Sequence, residues 1–268
     1  MRYHHPEKMI AMLPTRPEIS DEMIAPFFRI NVETYKEIKA SFDERARRCA
    51  RALLEDARFA DLVNRLPFES GTTVVGLGDS ITDDLLSWFE ILRHLLAETR
   101  PESGIRLVNA GISGDTTSKA LSRILHVLEE DPAWVLILLG TNDVLFVRQP
   151  PTKAQVSLEE TEKNLRALRD LAKAQSGALL AWTTPPPGIE ARQDTSPAEQ
   201  PVWRNEDLAE VAKLVRKVAE GDPLVDLWEA FGDPAEPEFL LPDGLHPSIA
   251  GQKAIAAALV ERLAGAYN

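Results

Sequence analysis

Four short polar clusters carry the residue types that chemistry needs. Gly78-Asp79-Ser80 ends the apolar run 73–77. Asn109-Ala110-Gly111-Ile112-Ser113-Gly114-Asp115-Thr116 ends a second run, Gly140-Thr141-Asn142-Asp143 a third, and Asp243-Gly244-Leu245-His246-Pro247 precedes the last helical pattern. A serine becomes a nucleophile when a base takes its proton and N–H groups receive the charge on the attacked oxygen. Ser80 is the candidate nucleophile and His246 the candidate base, since imidazole titrates near working pH. Asp243 stands three residues earlier, so one turn of backbone can hold its carboxylate against Nδ1–H, as in a Ser-His-Asp triad. The Ser80 and Gly114 N–H groups and the Asn142 side-chain amide can together form a three-donor oxyanion hole.

These clusters must be brought to one place. From residue 73 onward, strand and helix patterns alternate. The apolar runs 73–77, 105–109, 134–139, 178–183 and 224–227 read as five strands. Helical patterns cover 85–97, 116–129, 158–174, 205–219 and 248–263, with Ser248 placed to cap the last. Such alternation predicts a parallel α/β sheet with right-handed crossovers. Continuously apolar strands are expected where both sheet faces are covered. In such a sheet the first three clusters lie on one edge, where open α/β sheets place their ligands. A helix starting after the fourth cluster can bring His246 to that edge.

Upstream, Val32, Tyr35, Ile38, Phe42, Ala46, Cys49 and Leu53 recur at threes and fours, which is an apolar stripe on a long helix. A second amphipathic piece runs over 59–66. Residues 1–70 therefore read as an N-terminal helical extension and 71–268 as the main domain. The stripe must be buried either on that domain or on a second copy, so a homo-oligomer through this helix is one of two expectations. Residues 1–19 have no periodicity and read as a disordered or draped arm, His4 and His5 included.

The four clusters, in this order, resemble the four signature blocks of the SGNH (GDSL-type) hydrolase family. The family's letters fall on Ser80, Gly114, Asn142 and His246, with its acidic triad member at Asp243. The resemblance spans residues 73–268. It implies a flavodoxin-like three-layer α/β/α sandwich and hydrolysis of esters or thioesters through an acyl-serine, without metal or organic cofactor. It also assigns the oxyanion role to Gly114 and leaves Gly111 as a turn glycine. Many relatives have glycine two residues after the threonine of the first block; here that place is held by Asp84.

Weaker candidates surround this set. Asp79 and Asp143 are kept as substrate contacts, although holding a turn and bracing a loop explain them more simply. Asp115 is expected to cap the next helix. Phe146 and Arg148 follow the third cluster, and Thr184 and Pro185 open a Pro-rich loop reaching to about residue 202. All four are candidate walls of a substrate site, since a loop of that length is often functional. Arg148 or Arg192 would suit an acidic substrate group, though a solvated role is simpler. His94 and His126 read as ordinary helix residues.

Composition removes other classes. A net charge of −12 and a pI near 5.0 do not suit nucleic acid or anionic membranes. One cysteine, Cys49, leaves no intrachain disulfide and no thiolate metal site. No run approaches the ~20 apolar residues of a membrane span, and no secretion signal is legible, so a cytoplasmic location is expected. Gly76-Leu77-Gly78 lacks the third glycine of a dinucleotide fingerprint. A metal hydrolase built on Asp79, Asp243 and His246 lacks a local ligand motif. The substrate expected is a small-molecule ester or thioester. The alternatives are a carbohydrate deacetylase, a lysophospholipase, or a non-catalytic binding or assembly module on the same fold.

Overall fold

The strands expected from the sequence form one parallel five-stranded sheet in the order β2-β1-β3-β4-β5. The computed structural model describes residues 1–13, 18–146, 153–195 and 202–266. In chain order the elements are α1 (Pro6–Ala11), α2 (Asp21–Ile24), α3 (Val32–Leu54), α4 (Ala57–Asn64), β1 (Thr73–Gly78), α5 (Ser80–Asp83) and α6 (Trp88–Thr99). Then follow β2 (Arg106–Gly111), α7 (Thr117–Leu128), β3 (Pro132–Leu138), α8 (Leu158–Ser176) and β4 (Leu179–Thr183). The chain closes with α9 (Asn205–Val218), β5 (Leu224–Val225), α10 (Leu227–Phe231) and α11 (Ile249–Ala266). This strand order is that of flavodoxin-like sheets, with the switch point between β1 and β3.

The inner strands β1 and β3 are apolar because their side chains meet one of two cores, whereas the edge strand β2 carries Arg106 and Asn109 and is only half-buried. Val74, Trp134, Leu136 and Leu138 point into the layer of α3, α4, α6 and α11. Val75, Leu77, Val135 and Ile137 point into the layer of α7, α8 and α9. Each fully buried side chain of this size contributes roughly 1.5–3 kcal/mol relative to exposure. Local signals set the helix starts. Ser87 and Ser157 accept hydrogen bonds from the N–H groups of Glu90 and Glu160, three residues on. Gly177, with φ of 66°, ends α8 in the left-handed conformation.

The α3 stripe is used within the chain: Phe42, Ala46, Cys49, Ala50 and Leu53 join the core beside α6 and α11. His94 is buried on the same seam, its Nε2 3.0 Å from Asp43 of α3. An oligomer formed through this helix would have to use its outer, charged face.

Two local expectations are corrected. The helix after β1 does not run straight from residue 85. One turn, α5, forms at once, and Asp84 then leaves helical geometry with ψ of 129°. Its carboxylate takes the N–H of Leu86, and Ser87 starts α6. Asp115 does not cap α7; Thr116 does, while Asp115 pairs with Arg123 at 2.7 Å in a buried ion pair.

Candidate active site

Ser80 is the first residue of α5, directly after β1, at the switch point of the sheet. The turn that presents it requires glycine at 78: a Cβ there would lie 2.1 Å from Thr82 Oγ1 and 2.9 Å from the Leu138 carbonyl oxygen. Asp79 caps the turn, its Oδ1 accepting the Ile81 N–H at 2.9 Å. That carboxyl is wholly buried, and its other oxygen has no hydrogen-bond partner among the described residues. Burial pushes its pKa up to about 7.

His246 arrives from the loop before α11. Its Nε2 lies 2.9 Å from Ser80 Oγ, and its Nδ1 lies 2.8 Å from Asp243 Oδ2. The other Asp243 oxygen accepts the N–H groups of Leu245 (2.9 Å) and His246 (3.0 Å). Burial opposes the Asp243 charge, but His246 and these two N–H groups outweigh it and hold the carboxyl below its ordinary range. An ionised Asp243 fixes the proton on Nδ1 and leaves Nε2 to accept from the Ser80 hydroxyl. The loop is braced by Arg192, whose guanidinium donates to the carbonyls of Pro237, Leu240 and Leu241. Arg192 is half-buried, braces this loop and does not line the cleft of Ser80.

Gly114 and Asn142 line the same cleft as Ser80 and His246, a space of about 390 Å³. Gly114 has φ of 81°, with nothing within 4 Å of where a Cβ would stand, and its carbonyl accepts from Lys119 Nζ at 2.9 Å. Gly111, by contrast, ends β2 against α5, where a Cβ would meet the Asp83 nitrogen at 2.6 Å. Asn142 is buried, and its Nδ2 donates to the Asp115 carbonyl at 3.0 Å, which fixes the amide plane.

The weaker candidates fall elsewhere. Asp143 is buried, accepting from Thr117 N–H at 2.9 Å and from the hydroxyls of Thr117 and Thr161. It joins the third cluster to α7 and α8 and does not reach the cleft. Asp79 faces its own turn. Thr184 is buried, its hydroxyl accepting the Leu227 N–H at 2.8 Å, and the Pro185 carbonyl accepts from Trp228 at 3.1 Å. Both belong to the joint between β4 and α10. Phe146 pairs with Val202 as an isolated bridge and lies under Arg204, in a separate cavity. Arg148 lies outside the described residues.

The cleft walls that sequence reasoning missed are Trp203, Leu145, Leu245, Tyr3 and His4. Trp203 stood at the far end of the Pro-rich loop, which was a usable signal. Tyr3 and His4 had none, because they sit in an aperiodic segment far from every motif. The N-terminal arm is draped over the catalytic edge, and the Tyr3 ring lies 5.1 Å from that of His246.

Among the described residues no group of three His, Cys, Asp or Glu side chains is arranged to hold a metal ion, and no helix is long and apolar enough to cross a membrane. Residues 77–254 match the GDSL-like lipase/acylhydrolase family. The acetylxylan esterase of Geobacillus stearothermophilus is 30% identical, over 72% of this chain and 94% of the relative. The thioesterase 1/protease 1/lysophospholipase L1 of Escherichia coli K12 is 28% identical, over 73% and 85%. The crystal structure of the lipase/acylhydrolase from Enterococcus faecalis superposes with a TM-score of 0.58 at 27% identity, covering 73% of this chain and 96% of that one. The serine turn, the histidine loop and the fold around them are thus found together with this likeness, and the chain belongs to the GDSL-like lipase/acylhydrolase family of ester-hydrolysing enzymes.

Proposed function

We propose that the chain cleaves small-molecule carboxylic esters or thioesters through an acyl-serine intermediate on Ser80. The observation that carries this is the continuous line from Ser80 Oγ through His246 to Asp243, at 2.9 and 2.8 Å. His246 Nε2 takes the Ser80 proton as Oγ attacks the acyl carbon. The carbonyl oxygen becomes an oxyanion, held by the Ser80 and Gly114 N–H groups and by the Asn142 N–H not given to Asp115. His246 then gives its proton to the departing alcohol or thiol. Water, deprotonated by the same imidazole, attacks the acyl-serine, and collapse of that second intermediate returns the proton to Oγ and releases the acid. Asp243 stabilises the imidazolium throughout without itself taking the proton.

The likeness to an acetylxylan esterase supports acetylated carbohydrate as one substrate class, and the likeness to a thioesterase and lysophospholipase supports thioesters and lysophospholipids as others. A non-catalytic module finds no support in a site with all triad members in place. Residues 1–70 serve as an extension of the 71–268 hydrolase unit, and a cytoplasmic location belongs to the same proposal, to be checked by cell fractionation. Turnover of p-nitrophenyl acetate by wild type and Ser80→Ala tests the chemistry: the variant loses activity by at least ~10³-fold. Full activity in a folded Ser80→Ala protein would remove Ser80 from the reaction.

A further inference from the structure

The N-terminal arm is fastened to the catalytic edge by buried charge. Arg2 makes two hydrogen bonds to Asp84, at 2.8 and 2.7 Å, and the Asp84 side chain is fully buried. The Leu85 N–H donates to the Arg2 carbonyl at 3.1 Å. One turn on, Asp83 takes His5 Nδ1 at 2.6 Å and Lys8 Nζ at 2.5 Å on one oxygen. Its other oxygen takes the Ser113 N–H (3.0 Å) and hydroxyl (2.9 Å). Lys8 also donates to the Gly111 carbonyl at 2.9 Å. Burial opposes the Asp83 charge, but His5 and Lys8 prevail and hold its carboxyl below the ordinary range. Asp83 therefore ties the arm to the loop that carries Gly114.

The fastened arm borders a second, open space of about 450 Å³ beside the cleft of Ser80. The two share Tyr3, His4 and Ser113 as lining residues. Met9, Phe27, Phe28 and Ile112 give this space its apolar lining, alongside the polar His5, Lys8 and Asp83. Met9 and Phe27 keep 62% and 65% of their surface exposed, so they do not serve the core. All of these residues except Asp83, Ile112 and Ser113 lie outside the stretch that matches the family.

We infer that this chamber is a substrate subsite, built by the arm, that receives an apolar group of the ester cleaved at Ser80. The inference rests on the acyl-serine reading and adds to it the size and chemistry of the group accepted. The group belongs either to the acid or to the alcohol, and two substrate series separate the sources. One extends the acyl chain of p-nitrophenyl esters from acetate to octanoate; the other extends the alcohol of alkyl acetates from ethyl to octyl. Each methylene entering the chamber removes about one CH₂ from water, which is up to ~4-fold in kcat/KM. Wild type is expected to show that rise in one of the series.

A charged wall, Met9→Asp with Phe27→Asp, should flatten the rise. A narrower chamber, Met9→Trp, should move the optimum to shorter chains. All three substitutions replace exposed side chains, and labelling of Ser80 by a fluorophosphonate checks that each variant keeps a working site. Equal slopes in wild type and variants, with turnover still dependent on Ser80, overturn the subsite. Absence of both turnover and Ser80 labelling in wild type overturns the acyl-serine reading as well, so the two failures are distinguishable.

Discussion

Replacing Arg2 by methionine would leave the most deeply buried carboxylate of the arm clamp without its cation. The Asp84 side chain has no solvent exposure, while that of Arg2 keeps 23%. Breaking a buried ion pair costs roughly 3–5 kcal/mol. Here two things lower that. The Leu86 N–H still donates to one Asp84 oxygen at 2.9 Å, and the Gln252 amide lies 3.4 Å from the other. The arm can also lift away and admit water, so the loss cannot exceed the docking free energy of residues 1–13. We expect a loss of about 2 kcal/mol from the docked state. Arg2→Met with Asp84→Asn should regain most of it, because the stranded charge is gone and the amide oxygen of the introduced asparagine can still accept from Leu86. The assay is amide hydrogen exchange at Leu85, whose N–H donates to the Arg2 carbonyl, together with urea unfolding. Exchange at Leu85 should accelerate by ~10–30-fold in Arg2→Met and recover in the double variant. Wild-type exchange and an unchanged urea midpoint in Arg2→Met would refute the claim that this pair holds the arm.

Asn142→Ala should lower kcat by ~10²–10³-fold with a much smaller change in KM, read from p-nitrophenyl acetate kinetics. Gly114→Ala should cost ~1–2 kcal/mol in urea unfolding, since alanine must adopt φ near 81° while its methyl meets open space. Asp79→Asn should change the pH dependence of stability. The folded pKa of Asp79 is raised from 3.8 to about 7, so its neutral form is favoured on folding and that contribution fades as pH climbs from about 4 to about 7. Wild type should therefore lose up to ~3 kcal/mol between pH 5 and pH 7.5 that the asparagine variant keeps. Equal losses in the two proteins would contradict this.

The sheet was legible because its inner strands are apolar on both faces and because Ser87, Thr116 and Ser157 cap the helices α6, α7 and α8 that separate them. Ser80, the proposed nucleophile, was legible because it follows β1 on an edge that parallel topology defines; Asp243 and His246 follow no strand, and they were read from the order of the four clusters. Tertiary choices were not. Asp143 looks from sequence like a neighbour of the Asn142 donor, but the short turn Asn142–Val144 points it inward to Thr117 and Thr161. Thr184 and Pro185 leave β4 on the catalytic edge, yet β5 and α10 fold over them. Asp84 was visible as a charged residue where relatives often have glycine, but its partner, Arg2, stands 82 residues away in a segment with no pattern. Charge pairing across that separation has no signature in local sequence.

Covalent labelling reads the nucleophile most directly. Wild type and Ser80→Ala should be treated with a fluorophosphonate and examined by intact mass and peptide mapping. A single adduct on the peptide bearing Ser80, absent in Ser80→Ala and strongly slowed in His246→Ala, is the predicted result. An adduct that persists in Ser80→Ala, or one that maps to another residue, would contradict an acyl-serine mechanism at Ser80.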